Sequence, residues 1–188
     1  MQLNKKSKIF IAGHNGMVGS SILKYFKKKG YTNIYVRERK ALNFLDKDKT
    51  IKYLKKIKPH FAVIAAAKVG GIMANHKFKG EFIYENLMIQ TNLIHASYLA
   101  GVKKLIFLGS SCIYPKLSKQ PINEKYLLTG KLEETNDAYA IAKIAGIKMC
   151  EAYNKQYKKN YICLMPANLY GPNNNYDLNN SHFYPALI

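Results

Sequence analysis

Two short segments hold the residues of this chain best suited to chemistry. Leu108-Gly109-Ser110-Ser111-Cys112-Ile-Tyr-Pro115 closes an apolar run, and Tyr139-Ala-Ile-Ala-Lys143 lies in a helical stretch beyond it. A hydroxyl at a strand end can hold a carbonyl oxygen, a Tyr can give that oxygen a proton, and a Lys can make the Tyr more acidic; these are the groups a ketone reductase needs. Cys112 adds a thiol that reduction does not require. It is a proton-transfer group in its own right, although a lone Cys equally serves as a small buried apolar residue. With 15 Tyr in a Lys-rich chain, Tyr-x-x-x-Lys spacing arises by chance, and any such pair shares a helix face. Tyr25/Lys29 has the same spacing and reads as solvated decoration. Tyr139/Lys143 differs in context, sitting among Ala138, Ala140, Ala142 and Ala145, which let a helix approach a sheet or a cofactor closely.

A second kind of chemistry is written in glycine. Gly13-His14-Asn15-Gly16-Met17-Val18-Gly19 lies between an apolar run and a helical stretch. This GxxGxxG is a variant of the dinucleotide-binding GxGxxG, in which glycines permit a tight turn and close approach of a pyrophosphate to free helix N–H groups. An ordinary glycine turn is the plainer reading, and the strand-loop-helix context favours the dinucleotide. The end of the second strand then bears on which dinucleotide. An acid there suits the ribose 2′-hydroxyl of NAD and an Arg suits the 2′-phosphate of NADP. Arg37-Glu38-Arg39-Lys40 favours NADP, with Arg39 as the phosphate contact; Glu38 keeps NAD open, as does a merely solvated charge cluster. Pro166-Ala167-Asn168-Leu169-Tyr-Gly-Pro172 follows the last strand, where Asn168 can bond a sugar or a nicotinamide amide.

The elements that position these residues follow from alternating apolar runs and amphipathic stretches, the pattern of repeated βα units. Strands are predicted at 8–12, 33–37, 61–66, 104–109 and 161–166. Helices are predicted at 17–29, 47–57, 81–100 and 137–158, with an ordered excursion over 112–136. The expected fold class is α/β, a doubly wound parallel sheet of Rossmann type. Ser110, Ser111 and Cys112 then fall on the carboxyl edge of the sheet, where such folds bind ligands.

Composition narrows the partners. A formal charge of +19 invites a nucleic-acid reading. The excess is almost all Lys, spread along the chain without a nucleic-acid motif, so no nucleic-acid partner is expected; a positive field that draws in anionic cofactors or nucleotide-linked substrates is. Cys112, Cys150 and Cys163 form no CxxC pair, which argues against a disulfide framework or a structural metal. No signal peptide or membrane-spanning run is read, and a cytoplasmic protein without a membrane partner is expected. The chain stops at Pro185-Ala-Leu-Ile188 as a helix begins, and is expected to be incomplete there.

Taken together, these motifs resemble the extended short-chain dehydrogenase/reductases, and most closely the branch acting on GDP-linked 4-keto-6-deoxy hexoses. The resemblance covers essentially the whole chain, through Ile11 to Gly19, Ala65-Ala-Ala-Lys-Val-Gly-Gly-Ile72, Leu108 to Lys116, Tyr139 to Ile147 and Asn180-Ser-His182. It implies an NADPH-dependent epimerase and reductase. Tyr139 would protonate the C4 oxygen, Lys143 would bind the nicotinamide ribose and lower the Tyr pKa, and Ser110 would orient the carbonyl. Cys112 and His182 would form the acid/base pair that inverts C3 and C5. The cofactor would lie along Gly13 to Gly19, Arg39, Leu108 to Ser111, Lys143, Pro166 to Leu169 and His182. Members often carry Arg where Asn15 stands, which removes one 2′-phosphate contact. They also continue into a substrate domain, so residues 1–170 are expected to form the cofactor domain and 171–188 the start of a connection to the missing part. The resemblance further implies a homodimer.

Overall fold

The structure is a computed structural model that describes residues 3–174 and 176. Five strands, β1 (Ile9–Ala12), β2 (Ile34–Tyr35), β3 (Phe61–Ile64), β4 (Lys104–Leu108) and β5 (Asn160–Leu164), form one sheet in the order β2-β1-β3-β4-β5. Every pairing is parallel. The chain winds outward from β1 to β2, then crosses back to β3, so the order reverses between β1 and β3. That switch point opens the crevice in which α/β sheets bind ligands.

β1 (Ile-Phe-Ile-Ala) and β3 (Phe-Ala-Val-Ile) are buried at every position, as continuous apolar strands covered on both faces must be. On one face, Phe10, Ile64, Leu105 and Phe107 pack beneath α2 (Lys47–Ile57), α4 (Lys79–Leu99) and α5 (Asp137–Tyr157). On the other, Ile9, Ile11, Phe61 and Val63 meet Ile22, Leu23 and Phe26 of α1 (Met17–Lys28). The double winding is therefore complete around β1 and β3. At β5 only the α5 side is covered: Tyr161 is buried, whereas Ile162 and Leu164 are 36% and 46% exposed among the described residues.

Local sequence explains most boundaries. Asp46 caps α2 by accepting from the Lys49 amide at 3.0 Å, and Lys58 ends it in a left-handed conformation before Pro59. Gly101, at φ +77°, closes α4. Two expectations change. The second strand shrinks to Ile34–Tyr35, and beyond its end the Arg37 guanidinium lies over the Tyr53 ring (4.8 Å to the centroid). A short helix, α3 (Ile72–Lys77), precedes the long one, its start tied by Asn75 Nδ2 donating to the carbonyls of Gly70 and Gly71. Among the described residues no helix is long and apolar enough to cross a membrane. Residues 177–188, which include His182 and the expected helix start at Pro185, lie outside the described part.

Candidate active site

Gly146 decides how closely α5 approaches the sheet. A Cβ there would lie 2.5 Å from Cζ of Phe107 on β4, so only glycine lets the helix settle at this depth. Ala140 and Ala142, both fully buried, keep the same contact short. The result carries Lys143 into the interior, where only 4% of it is exposed. Its Nζ donates to the Leu108 carbonyl at 2.8 Å and lies 4.9 Å from the Phe107 ring centroid and 5.6 Å from that of Tyr139. Burial lowers its pKa to about 8, partly offset by Cys112.

Leu108 is the last residue of β4, so the strand end and the helix share a hydrogen bond at the site. Beyond it the Gly109 amide donates to the Leu164 carbonyl at 2.7 Å and the Ser111 amide to the Pro166 carbonyl at 3.2 Å. These bonds lash the serine loop to the extension of β5. Ser110 then heads a tight 3-10 turn over Ser111–Ile113, and the Cys112 thiol donates to Ser110 Oγ at 3.2 Å. Burial pushes the Cys112 thiol up, while the Ser110 hydrogen bond and Lys143 pull it down. Tyr139, in the first turn of α5, packs edge-on to Phe82. Burial, and then Cys112, raise its pKa. A raised Tyr139 stays protonated, which is the form that gives a proton away.

Ser110, Cys112, Tyr139 and Lys143, named from the sequence, thus converge on one carboxyl edge. Pro166 follows β5 at the same rim, and Ala167, Asn168 and Leu169 beyond it are exposed. His182 lies outside the described residues. Among the described residues, no cluster of three or more His, Cys, Asp or Glu could hold a metal.

The glycine loop occupies the switch point. Gly13, at φ +85°, presses on the backbone after β3: a Cβ would lie 2.6 Å from the Ala66 nitrogen. A Cβ on Gly19 would overlap the Gly13 carbonyl. Packing therefore accounts for both glycines. Gly16 is different, since a Cβ there meets only the Gly13 oxygen, at 3.5 Å. Packing therefore does not account for the missing side chain at Gly16. Gly16 also caps α1 with no side-chain hydrogen bond, and the first turn holds no acid. Uncapped amides, a bare glycine and an absence of negative charge fit a dinucleotide diphosphate. Half-buried His14, Met17 and Val18 and exposed Asn15 flank it.

Arg39 was expected to meet a 2′-phosphate. Its side chain is 70% exposed, and one guanidinium nitrogen lies 3.2 Å from Glu85 on α4. Glu85 also pairs with Lys68 at 2.7 Å, and Lys68 with Glu81. Asn86 fixes the loop below by accepting from the Lys68 amide and donating to the Lys68 carbonyl. Lys68 belongs to the Ala65–Ile72 string noted in the sequence, but the roles of Glu81, Glu85 and Asn86 were missed. The i,i+4 spacing of Glu81 and Glu85 shows in the sequence that the two share a face of α4, but not what they meet.

A parallel sheet with a glycine-headed helix at its switch point and, at its rim, a half-buried Tyr139 beside a buried Lys143 defines a dinucleotide-dependent class of protein. The chain belongs to the NAD dependent epimerase/dehydratase family, whose model matches residues 9–188. Among characterised relatives, it is 53% identical over 188 residues to GDP-L-fucose synthase from Sinorhizobium fredii, covering the whole chain and 60% of that protein. It is 52% identical over 183 residues to GDP-L-fucose synthase from Escherichia coli, covering 97% of the chain and 57% of that protein. The solved GDP-D-glycero-L-gluco-heptose synthase of Campylobacter jejuni, determined in the presence of NADPH, superposes with TM-score 0.95 at 42% identity, over 99% of this chain and 54% of that one. The chain therefore spans little more than half the length of these relatives.

Proposed function

We propose that this chain is the cofactor-binding and catalytic part of a GDP-L-fucose synthase. Residues 1–170 form the NADP(H)-binding domain, and 171–188 begin the connection to a substrate domain. The gathering of Ser110, Cys112, Tyr139 and Lys143 on the same carboxyl edge as the uncapped head of α1 carries this reading. The substrate is GDP-4-keto-6-deoxy-D-mannose, inverted at C3 and C5 and then reduced at C4. NADPH supplies the hydride when bound.

Each residue has a physical reason for its part. Ser110 accepts from the Cys112 thiol, which leaves its own hydrogen for the C4 carbonyl oxygen. Tyr139, kept protonated by burial, donates to that oxygen as it gains charge. The Lys143 ammonium, held by the Leu108 carbonyl, would bind the ribose hydroxyls of the cofactor and would add positive potential where an alkoxide forms. The C4 ketone acidifies the C3 and C5 hydrogens, so one acid/base pair can remove a proton from one face and return another to the opposite face. Cys112 and His182 are that pair.

We further propose a homodimer, to which exposed Tyr84 and Ile141 on α4 and α5 lend apolar surface, and a cytoplasmic location, consistent with three unpaired cysteines. The similarity to the heptose synthase favours a second reading, in which the GDP-linked sugar is a 4-keto heptose.

The test joins the chain to the C-terminal part of the E. coli relative and follows solvent deuterium uptake and NADPH oxidation separately. Tyr139→Phe should abolish oxidation while C3 and C5 still exchange. Cys112→Ser should abolish exchange yet spare reduction of an already epimerised ketone. Both variants losing both activities equally would sink the assignment. Preference for a GDP-4-keto heptose over the 6-deoxy sugar would establish the second reading, and cofactor binding without turnover of either would mark a non-catalytic protein.

A further inference from the structure

The ion pairs around Arg39 were not anticipated, and they bear on how the chain chooses its cofactor. Glu85 is a fixed charge. Its side chain is only 16% exposed, and its neighbours Phe82, Asn86 and Ile89 on α4 are buried. The Lys68 hydrogen bond, with help from Arg39, lowers the pKa of its carboxyl against the opposing effect of burial, so it carries its charge at neutral pH. Arg39 is the exposed partner. Its side chain is 70% exposed and touches Glu85 through a single N···O contact of 3.2 Å, leaving its other N–H donors available. An ion pair made by so exposed a guanidinium contributes little, so Arg39 leaves at small cost. Glu85 is not orphaned when it does, because Lys68 remains at 2.7 Å. The chain has one other Arg, and Arg37 is held over the Tyr53 ring. Arg39 is therefore the guanidinium at hand for a phosphate group.

We propose that Glu85 is a specificity-determining residue: its carboxylate competes with the cofactor 2′-phosphate for Arg39 and so restrains the preference for NADP(H) over NAD(H). The inference rests on the NADP(H) reading above. Removing the carboxylate both frees Arg39 and deletes a negative charge beside a dianion, and the two effects have the same sign. NADH has no 2′-phosphate and should register neither.

Fluorescence titration of the purified chain with NADPH and NADH tests it, using Glu85→Gln, Arg39→Ala, the double variant and Glu81→Gln. Glu81 shares Lys68 but does not touch Arg39. Glu85→Gln should tighten NADPH roughly three- to tenfold and NADH less than about twofold. With Arg39→Ala already in place only the direct charge effect remains, so the same change should tighten NADPH clearly less than it does in the parent, and Glu81→Gln alone should alter it less than about twofold. Weaker NADPH binding by Glu85→Gln would overturn the proposal and make Glu85 a prop for Arg39; so would equal gains for both cofactors, or an equal gain from Glu81→Gln. If Arg39→Ala left the NADPH to NADH ratio unchanged while Glu85→Gln still raised it, the assignment of Arg39 would fail and competition for Arg39 with it.

Discussion

At the β1–β3 end of the sheet's carboxyl edge backbone meets backbone, with Gly13 against Ala65 and Ala66 and Gly19 against Gly13. At the β4–β5 end the contacts are between polar side chains and strand ends, with Lys143 on the Leu108 carbonyl and Cys112 on Ser110. The first region is covered on both faces of the sheet; at the second, Ile162, Leu164 and Leu169 remain partly exposed among the described residues. One end is shaped by close packing and leaves chemistry to backbone amides. The other places ionisable groups in the interior and pays for them in desolvation.

Gly19→Ala should expose this difference most strongly. Helix propensity alone favours Ala by about 1 kcal/mol. The added Cβ, however, falls on the Gly13 carbonyl, and no rotamer change relieves a clash between backbones. The clash should win, destabilising the chain by about 3 kcal/mol or more in urea unfolding. A variant as stable as the parent would show that α1 can slide off the loop, and the account of this end would be wrong.

At the other end the expected effect is smaller and opposite in sign. Burial lowers the Lys143 pKa to about 8 from an ordinary 10.5. Between those values the unfolded chain binds more protons than the folded one, so this group's contribution makes stability rise with pH from about 8 to 10.5, and its penalty is fullest below 8. Lys143→Met removes the penalty but leaves the Leu108 carbonyl without its donor, a loss of about 1–3 kcal/mol. We expect a net gain of about 1 kcal/mol at pH 7, shrinking above pH 8 relative to the parent. Parallel pH profiles for the two proteins would show that Lys143 is not desolvated.

The same contrast explains what could be read in advance. β1 and β3 were legible as unbroken apolar runs, α2 from Asp46 and Pro59, and the glycine loop because its constraints are local in sequence. α3 was not, since its six residues carry no apolar period and it is held by Asn75 reaching back to Gly70 and Gly71. Tyr139 and Lys143 could be named, but not the anchor of Lys143, a main-chain carbonyl 35 residues away that residue type does not reveal. Arg39 was picked for its charge. That Glu85, 46 residues on, holds it is a property of how α4 crosses the sheet edge, which no local pattern encodes.

Gly16→Ala sharpens the comparison within the glycine loop itself and should disturb the fold least. The site has room for a methyl group and an ordinary extended backbone at φ −75°. Ala caps a helix less well than Gly but also stiffens the unfolded chain, and the two effects oppose each other, so stability should change by less than about 1 kcal/mol. Binding should respond quite differently. If Gly16 is bare because a diphosphate rests on its backbone, a methyl group there keeps the phosphates from the uncapped amides of α1. Affinity for NADPH and NADH should then fall together by about tenfold or more, since both carry the same diphosphate. That joint loss separates Gly16 from Arg39, whose replacement should weaken NADPH alone. Unchanged affinity for both cofactors would place the diphosphate elsewhere on the edge and leave the bare Gly16 without a ligand to explain it.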